Sequence, residues 1–202
     1  MLEQLPSEGQ AAQAYLTGVV GDLPSRIARL RILWALDNDF GGSECLIPGG
    51  EVAYRAYAEA RDTFVSGNFL STVLLSQSLI ENLLGGHLVI DEISREIHGR
   101  PARATKPLNP RPSMKDLLEH SAVAGVLSEH DVKNIGRLME LRNPLTHYRE
   151  INDPQNLTRR AMDCRVHPEQ IMFEDARFAI ETVIALLGKS EFAIGRRKPD
   201  SD

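Results

Sequence analysis

The sequence predicts an all-α protein, a helical bundle of about six or seven helices. Three observations carry this reading. Apolar residues recur at three- and four-residue spacing along most of the chain. No segment alternates apolar and polar residues in the way a half-buried strand does. Two of the periodic stretches are preceded by Ser-x-x-Asp, at Ser113–Asp116 and Ser128–Asp131, an arrangement like the capping box that opens helices.

The elements follow in order. Residues 9–20 read as a short helix ending near Gly21. Asp22-Leu23-Pro24-Ser25 opens a second, with Ile27, Leu30, Ile32, Leu33, Trp34 and Leu36 as its apolar surface; Trp34 is read as a core residue and not as a stacking platform for bases. Gly41-Gly42 and Pro48-Gly49-Gly50 break the chain into a loop. A third helix spans about 51–65 and stops at Gly67-Asn68. A long apolar helix runs from Phe69 to Leu84 and on toward Ile97, with Gly85-Gly86 as a point where it kinks or ends. Residues 99–112 hold four prolines, four basic residues and no acid, and read as an exposed loop. Helices capped by Ser113 and Ser128 come next, then a polar loop from Tyr148 through His167-Pro168. A final amphipathic helix spans about 169–187. The domain reading is an N-terminal helical extension over 1–50, a helical domain over 51–190, and a disordered tail over 191–202.

Composition excludes several classes. The 202 residues carry 23 basic and 28 acidic side chains, a net charge of -5, which is the wrong sign for a protein that coats nucleic acid indiscriminately. An apolar fraction of 42% is too high for a disordered chain. Apolar runs such as Val73–Leu75 fall short of the roughly 18 residues of a membrane span, so no membrane partner is expected. Met1-Leu2-Glu3-Gln4 lacks the charged start and apolar stretch of a signal peptide. Cys45 and Cys164 are far apart and have no metal-ligand spacing; a reducing, cytoplasmic setting is expected, with no metal and no cofactor.

The chemistry concentrates in residues 128–149. The apolar stripe of that helix reads Val132, Ile135, Leu138, Met139. One turn further it arrives at Arg142 and Asn143, then Thr146 and His147. A charged side chain on a core-facing stripe needs a partner or a task, because burial without either is costly. On a regular helix Arg142 and His147 lie about 140° apart. Pro144 disfavours helical geometry at Asn143, so a kink, or a helix restarted with Asn143 as cap, is expected here.

Arg142-Asn143-x-x-x-His147 resembles the signature of HEPN domains, small α-helical domains of which many are metal-independent endoribonucleases in toxin–antitoxin and defence systems. The pattern there is an arginine, usually followed by a polar residue, four to six residues before a histidine, at the close of an amphipathic helix. Arg160 and His167 match the widest spacing but fall in the expected polar loop. A second likeness is Glu81, which interrupts the apolar Leu79, Ile80, Leu83 and Leu84 of the long helix, where HEPN domains place a polar or acidic residue facing the motif. The likeness covers about residues 51–187. Some members carry His-x-Tyr; here Tyr148 follows His147 directly, so that tyrosine's role is not transferred.

The resemblance implies an endoribonuclease, a toxin or defence component, cleaving RNA by attack of the 2′-hydroxyl on the adjacent phosphate. Arg142, Asn143 and His147 would be catalytic, with Glu81, Thr146 and Tyr148 in support. Histidine titrates near neutrality and serves as base or acid. Arginine's fixed, forked charge suits a phosphorane. Arg100, Arg103, Lys106 and Arg111 would track the RNA backbone. The implied partners are RNA, a second copy in a homodimer that brings two motifs to one axis, and an antitoxin protein. The expected dimer face is the 128–147 helix with the Leu74–Leu84 helix. The alternative is a non-catalytic HEPN-like module that binds a nucleotide or a partner protein.

Overall fold

The computed structural model describes residues 6–40, 47–101, 111–189 and 191–192. Among them there are eight helices and no strand: α1 (Glu8–Gly21), α2 (Leu23–Phe40), α3 (Gly50–Ser66), α4 (Phe69–Ile97), α5 (Met114–Val123), α6 (Glu129–Thr146), α7 (Leu157–Cys164) and α8 (Pro168–Leu187). The fold class is all-α, as the periodicity predicts, with one helix beyond the expected six or seven.

The extra helix is α7, which corrects the expectation of a polar loop between Tyr148 and His167. Asn156 caps it, accepting from the backbone N–H groups of Thr158 and Arg159 at 2.9 and 3.3 Å. Its single buried residue is Ala161. Eight residues with so little apolar burial do not hold as a helix alone. What fixes α7 is Arg160, whose guanidinium makes a forked pair with Asp175 of α8 at 2.6 and 2.7 Å. Arg160 therefore serves packing, and its spacing to His167 carries no chemistry.

α4 is the axis of the bundle. Val73, Leu79, Ile80, Leu83 and Leu84 are buried along it and pack with α3, α8, α5 and α6. It is long and apolar enough to cross a membrane by length and composition, but here those side chains make the core. Gly85-Gly86 does not end it. Gly86 instead admits the backbone of the 48–49 turn: a Cβ at Gly86 would lie 2.3 Å from the Gly49 nitrogen. Gly67, with φ +82°, turns the chain from α3 into α4. Phe64, Phe69 and Phe173 then meet with ring centroids 5.5 to 6.4 Å apart, tying α3 and α4 to α8.

α2 docks on this body by one edge. Leu33 is buried, Arg29 donates to the Val65 carbonyl at 2.8 Å, and Arg61 of α3 forks onto Asp37 at 2.6 and 2.8 Å. Trp34 corrects its sequence reading: it is 69% exposed, because it lies one residue, about 100°, round the helix from Leu33. The two predicted caps are formed. Ser113 and Asp116 exchange side-chain to backbone bonds at the start of α5, and Ser128 and Asp131 do so at the start of α6.

Candidate functional site

α6 delivers the motif. Ser128 starts the helix, and Ile135 and Leu138 are buried while Val132 and Met139 pack half-buried against the core. That apolar face is used up inside the protomer, as are Leu79, Ile80, Leu83 and Leu84 of α4. Most apolar side chains of the face expected to pair two copies are thus buried or half-buried within the protomer, and the motif lies where the stripe comes to the surface.

Pro144 does not break the helix. α6 continues through it to Thr146, so Asn143 is an interior residue and not a cap. Proline has no N–H, so the Glu140 carbonyl loses its acceptor role toward residue 144. The end comes one turn later. His147 is the C-cap, with φ −127° and ψ 134°, and its N–H donates to the Asn143 carbonyl at 3.1 Å. The Thr146 hydroxyl reaches the same carbonyl at 3.3 Å and that of Arg142 at 3.5 Å. Thr146 thus supports the last turn. Since the backbone at His147 is extended, the fixed helical register ends at Thr146, and the 140° separation of the regular helix does not apply to the histidine side chain.

Arg142 and Asn143 are half-buried, and Thr146, His147 and Tyr148 are exposed, the tyrosine at 91%. Among the described residues the side chains of Arg142, Asn143 and His147 make no hydrogen bond or ion pair within the protein. This is unusual here. The other half-buried arginines, Arg26, Arg29, Arg61, Arg95, Arg149 and Arg160, each hold an aspartate. Arg142 is the exception, five residues before an exposed, unpaired histidine.

The surface goes on directly into a shallow hollow of about 630 Å³ lined by Tyr148, Arg149, Glu150, Asn152, Asp153 and Pro154. Arg149 is a residue the sequence reading does not single out. It meets Asp153 at 3.5 Å, and its Nε is buried with no partner. Its position two places after His147 is the signal that could have found it.

The other predicted residues lie apart. Glu81 is exposed and opens into a separate hollow of about 650 Å³ with Gly49, Asn82, Gly86, Arg111 and Leu117. No hydrogen bond or ion pair joins it to Arg142 or His147 among the described residues. The polar side chains buried inside α4 are Thr72, Ser76 and Gln77, and Ser76 Oγ and Gln77 Oε1 have no partner there. Arg100 and Arg111 are exposed at either side of the basic segment; Arg103 and Lys106 lie outside the described residues. No group of three or more His, Cys, Asp or Glu side chains that could hold a metal ion occurs among the described residues. Comparison with family models, curated proteins and solved structures finds no match.

Proposed function

We propose that this chain is a HEPN-type, metal-independent endoribonuclease with Arg142, Asn143 and His147 as its catalytic residues. The observation that carries the reading is the unpaired Arg142 on the last turn of α6, ahead of an exposed and unpaired His147. A half-buried guanidinium without a carboxylate is costly unless an anion completes it. A nucleic-acid phosphate is such an anion, and the arginine's forked donors match two of its oxygens.

The reaction needs few parts. His147, in its neutral form, takes the proton of the 2′-hydroxyl. The oxygen attacks phosphorus, and the 5′-oxygen leaves with a proton from a second acid. Products are a 2′,3′-cyclic phosphate and a free 5′-hydroxyl. Arg142 balances the charge that grows on the phosphoryl oxygens, and Asn143 donates to one of them. One protomer brings one motif histidine; a second copy held by contacts outside α6 would bring the other. Tyr148, fully presented beside the motif, offers a ring on which a base can stack. Arg149 lines the hollow where the next phosphate would lie. Toxin or defence action, with an antitoxin protein as partner, belongs to this reading. Glu81, exposed and without a bond to the motif among the described residues, keeps only a supporting place in this reading.

The test is incubation of purified protein with a long single-stranded RNA in excess chelator. Cleavage to 2′,3′-cyclic phosphate ends supports the enzyme. Intact RNA, together with a melting shift on addition of a nucleotide, supports the non-catalytic module instead.

A further inference from the structure

Among the described residues, α1 packs on the rest of the bundle only sparsely, and mainly through α2. None of its residues is buried, and Gly9, Gly18 and Gly21 stand in open space. Three glycines weaken a 14-residue helix that would be marginal in water even with alanines there. Its order therefore calls for a surface to lie against.

The surface is written along α1 and α2 together. Only Asp22 separates them. It keeps right-handed geometry, with φ −84° and ψ −5°, its N–H donates to Gly18, and its carbonyl accepts from Arg26, both at 3.0 Å. Pro24, which cannot donate back to Val20, accounts for the break. Across this junction Leu16, Val20, Leu23, Ile27, Leu30 and Trp34 follow at intervals of four and three residues without a change of phase, and each is 43–69% exposed. Leucine holds one of the alternating positions, at 16, 23 and 30. Valine, isoleucine and tryptophan hold the other. A 3.5-residue repeat with leucine at one core position and β-branched residues at most of the other is the pattern of two helices wound together.

We propose that this seam binds the same seam of a second copy, forming a two-stranded coiled-coil dimer through α1 and α2. The pattern is self-complementary, as a two-fold interface requires. Six large apolar side chains, each 43–69% exposed, set the ceiling on what the seam can bury, an area on the order of the about 800 Å² per partner of a stable complex. A lipid surface fits less well, because a membrane-lying helix carries basic residues along its polar face, whereas α1 has none and two of the three arginines of α2, Arg26 and Arg29, are held by Asp22. The neighbouring face of α2 stays docked on the body, Arg29 and Asp37 bonding to α3 and Leu33 buried in the core, so the seam runs along the border of that docked face. The inference does not rest on ribonuclease activity, and no seam residue belongs to the motif.

Trp34 is the only tryptophan, so it reports on the seam directly. The full chain is followed by sedimentation and by tryptophan emission from 0.1 to 50 μM, beside Leu23→Glu/Ile27→Glu and beside His147→Ala. The expected result is a mass twice the 22.4 kDa chain, with emission moving to the blue in step with the mass. The double glutamate variant should stay monomeric, keep red emission and retain the melting transition of the body, with dimer affinity down at least 100-fold. His147→Ala should dimerise like the parent. A parent that stays monomeric at 50 μM overturns the proposal, whether or not it binds anionic vesicles. So does a dimer that survives the double substitution, or one that forms with no change in Trp34 emission.

Discussion

His147 closes α6 by donating its backbone N–H to the carbonyl of Asn143 at 3.1 Å, so the two polar residues of the motif are joined through the main chain while their side chains stay unoccupied among the described residues. The histidine imidazole does not hold the fold together. Replacing it should therefore leave stability almost unchanged. We expect His147→Ala to shift unfolding by less than about 0.5 kcal/mol, and Arg142→Ala by little more. Urea titration checks this, and a loss of several kcal/mol would show that either side chain is structural.

Arg160 and Asp175 make the opposite case. Their pair is nearly buried, with the aspartate side chain 8% exposed. The hydrogen bonds that Arg160 donates to Asp175 raise its pKa above the ordinary value, outweighing the burial that lowers it. Removing one partner strands the other charge, so Arg160→Ala should cost about 3–5 kcal/mol. α7 should loosen first, seen as faster hydrogen exchange of its amides than of those in α4.

Much of the fold is open to sequence reasoning, and these two residues show where it stops. The caps at Ser113 and Ser128 are local, with donor and acceptor three residues apart, so spacing alone reveals them. The Arg160–Asp175 pair joins positions 15 apart on different helices, and no local pattern announces it. The usual preference of a proline predicts a break at Pro144, but helix packing on both sides of it overrides that preference. Residue type alone sends Trp34 to the core; its neighbour Leu33 takes that place, and the register of α2 decides which of them faces inward. The motif is legible as residues on one helix. That Arg142 lacks a carboxylate among the described residues, and that Glu81 makes no bond to the motif there, depends on the positions of the other helices.

The start of α6 should respond to acid. Burial pushes the Asp131 carboxyl up, but hydrogen bonds from Lys189 and Ser128 more than offset it, and its pKa lies below the ordinary value. A carboxylate with a lowered folded-state pKa contributes stability above its unfolded pKa of about 3.9, and that contribution is lost as pH falls through the folded value. Lys189→Met removes a bond that favours the charged form. The variant should be less stable than the parent at pH 7, and the gap should narrow toward pH 2. A gap that is constant with pH would show that the pair is not coupled to the titration of Asp131.

Neutralising Arg100, Arg103, Lys106 and Arg111 together should weaken RNA binding and flatten its salt dependence. On single strands the log–log slope should fall by up to about 0.7 for each phosphate that is no longer neutralised. Cleavage of bound RNA should change little. Binding measured by fluorescence anisotropy at several salt concentrations decides it; an unchanged slope means the segment is a connection only.

The most direct test of the central claim compares the parent with His147→Ala on one labelled RNA in chelator, at equal concentration and with matched circular dichroism. General acid–base catalysis by a positioned histidine contributes about 10²–10⁴-fold. The account predicts cleavage to 2′,3′-cyclic phosphate ends by the parent and a rate at least 100-fold lower for the variant. A parent that leaves RNA intact, or a variant that cuts at the parent's rate, would contradict it.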